Sequence, residues 1–174
     1  MSTTTTLLTF AEFEQLPDAP GKQELIDGEV IEMPPPLKSH LMTAEAIFRL
    51  LDHALGEGRV HMKWGYLLGG QHWLQPDISV AWPQQGETRG YPSGAPMIAI
   101  EILSARKSAQ HIEDKLNLYF AEGAQEVWTV SRKNLSITVH RQAPSGERTS
   151  LRITDSYQPD WLSVPVRPAD IIVP

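Results

Sequence analysis

The stretch Met97-Ile98-Ala99-Ile100-Glu101-Ile102-Leu103 decides how this chain folds. Every residue in it except Glu101 is apolar, which is typical of a strand covered on both faces in the middle of a sheet. A buried carboxylate costs free energy unless another group satisfies it. We therefore expect a central strand in which Glu101 belongs to a functional site, pairs with an arginine, or emerges into solvent at the strand end.

The residues after this strand predict a helix and then more strands. Ser108 can cap a helix that runs to Gly123. Its apolar face is predicted at Ile112, Leu116, Tyr119 and Phe120. Three further strands are predicted over residues 126–131, 135–141 and 149–153.

The residues before the central strand predict a short helix, a hairpin and a long helix. Thr9 and Glu12 have the spacing of a capping box, and Asp27-Gly28 indicates a tight turn in a hairpin from Lys22 to Met33. The long helix ends at Gly56. Its buried face is predicted at Leu41, Ala44, Phe48, Leu51 and Leu55.

The middle of the chain predicts strands over Arg59–Leu68 and Ile78–Trp82, then an exposed loop from Pro83 to Pro96. Strands and substantial helices together indicate an α/β or α+β protein with a mixed central sheet, flanking helices and an N-terminal hairpin. We expect one domain over residues 1–174, in which residues 1–8 are a flexible tail.

The composition is that of an ordinary globular protein, with 41% hydrophobic and 21% charged residues. The absence of cysteine excludes disulfides and thiolate metal sites and favours a reducing compartment. No apolar run approaches the roughly 18 residues of a membrane helix, and no signal peptide is recognisable, so we expect a cytoplasmic protein. A net charge of −6 argues against a nucleic-acid coat protein but not against a nuclease with a carboxylate metal site.

A second acid, Asp77, precedes the strand at Ile78. By itself, an aspartate there is usually a turn residue. Together with Glu101, however, it could hold one hard divalent cation, and the peptide carbonyl of Ile102 could supply a third oxygen. A metal held in this way lowers the pKa of a bound water and stabilises charge on a phosphoryl oxygen.

Lys115 lies on the helix that follows the Glu101 strand. Its ammonium could orient or deprotonate an attacking water, or offset charge in the transition state. The alternative is a solvated surface lysine beside the apolar face of the helix.

An ordered set of motifs resembles the Uma-two family of putative restriction endonucleases, a member of the PD-(D/E)XK nuclease superfamily. The resemblance covers roughly residues 9–142 and is carried by Glu24-Leu-Ile-Asp-Gly-Glu29, His40, Pro76-Asp77, Glu101-Ile-Leu-Ser104, Lys115, Tyr119, Gly123 and Glu126-Val-Trp-Thr-Val130.

The resemblance implies a restriction-endonuclease-like fold and a Mg²⁺-dependent (or Mn²⁺-dependent) endonuclease that hydrolyses DNA. A homodimer is expected, because cutting both strands commonly needs two sites. The resemblance also implies that Asp77 and Glu101 bind the metal. The superfamily usually places a lysine two residues after the second acid, where this chain has Leu103. The family pattern places it on the next helix instead, at Lys115, with Lys107 a weaker substitute.

Two further residues match the family pattern. Glu24 could complete or steer the metal site, or form a salt bridge within the hairpin. His40 could contact phosphate or water, or form a hydrogen bond at the start of its helix.

Two other functions stay open at this stage. A catalytically inactive nuclease-fold module could bind nucleic acid or a protein partner, as the acidic charge and Leu103 would allow. A hydrolase for another phosphate ester is the third possibility. No organic cofactor and no membrane association are expected.

Overall fold

The computed structural model describes residues 7–104 and 108–174. Within those ranges the helices are α1 (Phe10–Phe13), α2 (Lys38–Leu55), α3 (Ala109–Ala121) and α4 (Pro168–Ile171). The strands are β1 (Lys22–Ile26), β2 (Glu29–Met33), β3 (Val60–Met62), β4 (Tyr66–Leu68), β5 (His72–Leu74), β6 (Ile78–Val80), β7 (Glu87–Thr88), β8 (Tyr91–Pro92), β9 (Ile98–Ile102), β10 (Glu126–Ser131), β11 (Ser136–Gln142) and β12 (Arg148–Ile153). Across these ranges, no helix combines the length and apolar character that crossing a bilayer requires.

The predicted central strand is confirmed. The larger sheet has the order β12-β11-β10-β9-β6-β3, and all five residues of β9 are buried. Strand β9 runs parallel to β10 and antiparallel to β6. Parallel neighbouring strands need a long crossover connection, and α3 forms part of it. Ser108 caps the start of α3, because its side chain accepts a hydrogen bond from the His111 amide.

Side-chain alternation along β9 divides the interior into two hydrophobic clusters. Ile98, Ile100 and Ile102 pack into the cluster that includes α2 and the C-terminal segment. Ala99 packs into the other cluster, with α3 and the smaller sheet. Glu101 lies two residues after Ala99, so its side chain is directed toward α3.

The smaller sheet has the order β2-β1-β5-β4 and begins with the predicted hairpin. Asp27 and Gly28 both have positive φ, 50° and 81°, as a two-residue hairpin turn requires. A Cβ atom at Gly28 would also lie 2.9 Å from the Leu7 Cβ. Both constraints favour glycine at this position.

The segment Arg59–Leu68, predicted as one strand, is two strands in different sheets. The chain turns at Lys63, which has a φ of 51°. At Gly65, an added Cβ would lie 1.9 Å from the Trp73 ring, so the backbone there approaches β5 too closely for any side chain. The loop predicted over Pro83–Pro96 contains the short β7–β8 hairpin.

The buried face of α2 differs from the predicted one. Its buried residues are His40, Thr43, Ala44, Ile47 and Leu51. Leu41, which was predicted to be buried, is 40% exposed. The polar residues turn inward because they have partners there: Thr43 Oγ1 accepts a hydrogen bond from the Val173 amide at 3.0 Å. A hydrophobic pattern cannot identify a buried face that carries satisfied polar groups.

Two leucines of α2 test this orientation. Leu51→Ala should lower the free energy of unfolding by about 2–5 kcal/mol, because Leu51 is fully buried and its truncation leaves a cavity. Leu41→Ala is the matched control and should change it by less than about 0.5 kcal/mol. Urea unfolding measures both. Equal losses from the two variants would mean that the helix presents a different face to the core.

Candidate functional site

Three carboxylates on three strands or strand ends converge in the interior. Glu24 lies in β1, Glu101 lies in β9, and Asp77 directly precedes β6. Their exposed fractions are 0%, 1% and 5%. Strands β6 and β9 pair Ile78 with Ile100, and one further step of that antiparallel register brings Asp77 opposite Glu101.

The side chain of Lys115 joins two of these carboxylates. Its Nζ lies 2.7 Å from Glu24 Oε1 and also forms an ion pair with Glu101 Oε1. Lys115 is 1% exposed, so the alternative of a solvated surface lysine is wrong. One turn later on α3, Tyr119 donates a hydrogen bond to the same Glu101 oxygen at 2.9 Å.

Asp77 is held between β9 and α2. The Ile102 amide donates to Asp77 Oδ2 at 2.8 Å, and His40 Nε2 lies 3.2 Å from Asp77 Oδ1. Because Ile102 follows Glu101, this contact fixes the two acids relative to each other. His40 therefore contacts the predicted metal-binding aspartate from the first turn of α2. The candidate Lys107 lies outside the described residues.

Sequence analysis missed Lys22. Its Nζ lies 3.0 Å from Glu24 Oε1 and 4.0 Å from Glu101 Oε2. The available signal was alternation along β1, which places Lys22 and Glu24 on the same face.

Glu24 has further contacts besides the two ammonium groups. The Gln75 amide donates to Glu24 Oε1 at 3.0 Å, and His111 Nε2 lies 3.5 Å from Glu24 Oε2. His111 precedes Lys115 by one helical turn, so α3 presents two nitrogen-bearing side chains to one glutamate. The predicted hairpin salt bridge of Glu24 therefore exists, through Lys22, as part of a larger cluster.

Burial and mutual attraction shift the pKa values of this cluster. Burial alone would raise the pKa of Glu24, but the positive charges of Lys115 and Lys22 outweigh it and hold that pKa well below its ordinary value. Burial alone would lower the pKa of Lys22, but Glu24, Glu101 and Asp77 together raise it. Burial, followed by the charge of Glu101, raises the pKa of Tyr119 well above its ordinary value. Glu24 and Lys22 are therefore charged at neutral pH.

A cavity of about 770 Å³ opens onto this cluster. Its polar lining includes Lys22, His40, Asp77, Ser104 and His111. Its apolar lining residues are mostly Ile31, Met33, Pro34, Pro35, Pro36 and Leu37. Glu101 and Lys115 do not line the cavity, so a ligand in it meets Asp77, Lys22 and the histidines first.

The chemistry of the acids fits a hard divalent cation. Carboxylate and carbonyl oxygens are the ligands that Mg²⁺ takes in proteins. The cluster already attracts cations, since Lys22 and Lys115 contact its carboxylates. Within residues 7–104 and 108–174, no three His, Cys, Asp or Glu side chains are grouped to hold a metal. A metal at Asp77 and Glu101 would therefore need a third ligand of another kind.

Comparisons with known proteins identify relatives of the chain. Residues 10–170 match the Uma2 family, described as "Putative restriction endonuclease". Curated proteins gave no match. Among solved structures, the chain is similar to a putative nuclease belonging to DUF820 from Anabaena variabilis, with a TM-score of 0.79 and 22% identity over 95% of this chain and 97% of that chain. At that identity the similarity establishes the fold, a mixed α/β architecture of the restriction-endonuclease-like type.

The buried Glu24 should make stability depend on pH. Its lowered pKa stabilises the folded state above the ordinary value of 4.5, and this contribution is lost as pH falls from 4.5 through the folded pKa. We expect Glu24→Gln to lower the free energy of unfolding by about 3–5 kcal/mol at pH 7. The difference from the parent should shrink below pH 4.5.

Urea unfolding between pH 7 and pH 3 measures this difference. Glu12→Gln is the control, because Glu12 also has a lowered pKa but is exposed, held by its hydrogen bonds to Thr9. The free energy of unfolding of Glu12→Gln should differ much less from that of the parent at every pH. A Glu24→Gln difference that stays constant down to pH 3 would contradict the charged state assigned to Glu24.

Proposed function

Because the chain belongs to the Uma2 family of putative restriction endonucleases, we propose that it is a divalent-cation-dependent endonuclease that hydrolyses DNA phosphodiester bonds. The family match supports a nuclease function, and the arrangement of Asp77, Glu101 and Lys115 supports the finer assignment. Short contacts link these three residues, which are remote in sequence, and Asp77 lines the cavity.

The observation that carries the proposal is the connection from Asp77 through β9 to Lys115. The Ile102 amide binds Asp77, the neighbouring Glu101 binds Lys115, and Asp77 lines the cavity. A pair of acids on adjacent strands backed by an ammonium is an arrangement suited to phosphodiester hydrolysis, because it can both hold a cation and offset phosphate charge.

In this proposal, the carboxylates of Asp77 and Glu101 and the carbonyl of Ile102 would hold Mg²⁺ or Mn²⁺. When bound, the metal supplies Lewis acidity and lowers the pKa of a water. His40 positions Asp77 through Oδ1, while the Ile102 amide holds Oδ2. Tyr119 positions Glu101 by donating to Oε1. The protein thus fixes both acids before substrate binds.

In this proposal, Lys115 replaces the lysine that the superfamily usually carries two residues after the second acid. Its ammonium contacts Glu101 from α3, and Glu24 holds it in place at 2.7 Å. From beside Glu101, its positive charge would offset negative charge at the reacting phosphate, although it does not itself line the cavity. Glu24 is then a positioning residue that acts through Lys115.

The proposal predicts loss of cleavage when either acid is removed. With Mg²⁺ or Mn²⁺ present, the purified protein should nick supercoiled plasmid DNA. Asp77→Ala and Glu101→Ala should each lower the rate about 10²-fold or more, because each removes a metal ligand. Gel electrophoresis of the plasmid over time measures the rate.

Asp114→Ala is the matched control for this assay. Asp114 lines the same cavity and accepts a hydrogen bond from Gln110 at 2.8 Å, but it is not one of the proposed metal ligands. This variant should keep most of the parent activity. Circular dichroism must show that all three variants are folded. Parent-like cleavage by both Asp77→Ala and Glu101→Ala would refute the assignment.

A second candidate, a non-catalytic binding module, is favoured by two specific observations. Leu103 occupies the usual lysine position, and the ammonium groups of Lys22 and Lys115 already contact the carboxylates. Calorimetry with MgCl₂ and MnCl₂ separates the two functions. The nuclease should bind a divalent cation, and binding should weaken in Asp77→Ala. No heat of binding from either salt would favour the module.

We further propose DNA as the natural substrate and a homodimer as the acting form, because cutting both strands of a duplex uses two sites. Turnover of small phosphodiesters without DNA cleavage would instead favour a phosphate-ester hydrolase. The proposed setting is the cytoplasm, which suits a chain without cysteine.

A further inference from the structure

We infer that Lys22 is a built-in counter-cation of the site and that a divalent metal must displace its ammonium to bind Asp77 and Glu101. The inference rests on the proposed function, because it concerns the metal that the proposed reaction uses. It assigns to Lys22 a role in setting metal affinity.

The position of the Lys22 ammonium is that of a cation shared by several acids. Nζ lies 3.0 Å from Glu24 Oε1 and 4.0 Å from Glu101 Oε2. A divalent cation bound by Asp77 and Glu101 would meet this ammonium at close range, and two positive charges in a poorly hydrated space repel each other.

Lys22 and Lys115 differ in their access to the cavity. Lys115 lies on α3, is 1% exposed and does not line the cavity. The Lys22 side chain is 13% exposed and lines the cavity. Lys22 therefore has space into which to withdraw, while Lys115 is enclosed by protein.

The contacts of Lys22 also suit a displaceable group. Its Nζ is buried but has no aligned hydrogen-bond partner among the described residues, so proximity and charge hold it. Lys115 instead donates a hydrogen bond of 2.7 Å to Glu24. Of the two ammonium groups, Lys22 is the one that a stronger cation replaces at lower cost.

Metal affinity of charge-removing variants tests this inference. Lys22→Met keeps most of the side-chain length and removes the charge. By calorimetry with MnCl₂, it should bind the metal about tenfold tighter than the parent or more, because the repulsion is lost. Lys22→Arg keeps the charge and should bind no tighter than the parent.

Lys63→Met is the matched control. Lys63 is exposed and lines the same cavity, so its removal changes the net charge equally. Its metal affinity should stay within about twofold of the parent, because general attraction at the surface is screened by solvent and salt. Tighter binding in both lysine-to-methionine variants would show a general charge effect and overturn the assignment to Lys22.

Thermal unfolding with and without MnCl₂ gives a second readout. The metal should raise the Tm of Lys22→Met more than that of the parent, since the stabilisation by a ligand that binds only the folded state grows with the logarithm of its affinity. If Lys22→Met is unfolded without metal, MnCl₂ should restore its folded circular dichroism spectrum. Failure of the metal to do so would overturn the inference.

The outcomes separate this inference from the proposed function. Metal-dependent nicking by the parent, with equal Mn²⁺ affinity in parent and Lys22→Met, overturns the role of Lys22 and leaves the nuclease assignment intact. Tighter binding by Lys22→Met, without cleavage by any form, supports the role of Lys22 and overturns the nuclease. No Mn²⁺ binding by either protein overturns both.

Discussion

The site depends on the ion pairs that the Lys115 ammonium forms with Glu24 and Glu101. Glu24 belongs to the smaller sheet, Glu101 to the larger sheet, and Lys115 to the helix that connects β9 and β10. All three side chains have lost nearly all contact with solvent. Removing one partner of a buried pair leaves an uncompensated charge, which costs far more than a surface ion pair contributes. Strands β1 and β9 and helix α3 must therefore all be correctly positioned at the same time.

That requirement explains why β1, β9 and α3 all carry charged side chains on buried faces. Alternation along β9 sends three isoleucines into one cluster and Ala99 and Glu101 toward α3. Alternation along β1 sends Lys22 and Glu24 the same way. Replacing such a cluster by apolar residues is often neutral or stabilising, so stability alone does not account for it. The proposed function at the adjoining cavity would account for it.

Sequence reasoning located the acids but not the full set of cations. Glu101 could be found because a carboxylate in an apolar strand is locally anomalous, and Asp77 because it precedes another strand. Nothing local distinguishes Lys115 from a surface lysine, since its burial depends on β1 and β9 meeting α3. Its place on the helix after the Glu101 strand made it a candidate, and the resemblance to the family pattern favoured it over a surface lysine. Lys22 carried no local anomaly either, and its contacts depend on how the two sheets come together.

The errors in the fold have the same origin. Residues 59–68 have strand composition throughout, but the close approach of Gly65 to Trp73 divides them between two sheets. The hydrophobic pattern of α2 includes Leu41, yet partners elsewhere in the chain draw His40 and Thr43 inward. In each case a tertiary contact outweighed a local preference, and with His40 that contact is to a site carboxylate.

The departure at Leu103 has a geometric consequence. The Leu103 amide donates to the Val130 carbonyl at 2.8 Å, so the chain continues its pairing with β10 past the end of β9. A lysine at this position would share the side of the strand that carries Glu101, two residues before it. With leucine there, no ammonium can come from this strand, and α3 supplies one instead. Because Lys115 is not part of β9, its hydrogen bond to Glu24 is needed to hold it beside Glu101. Lys22 is then the lysine that contacts these carboxylates from the cavity.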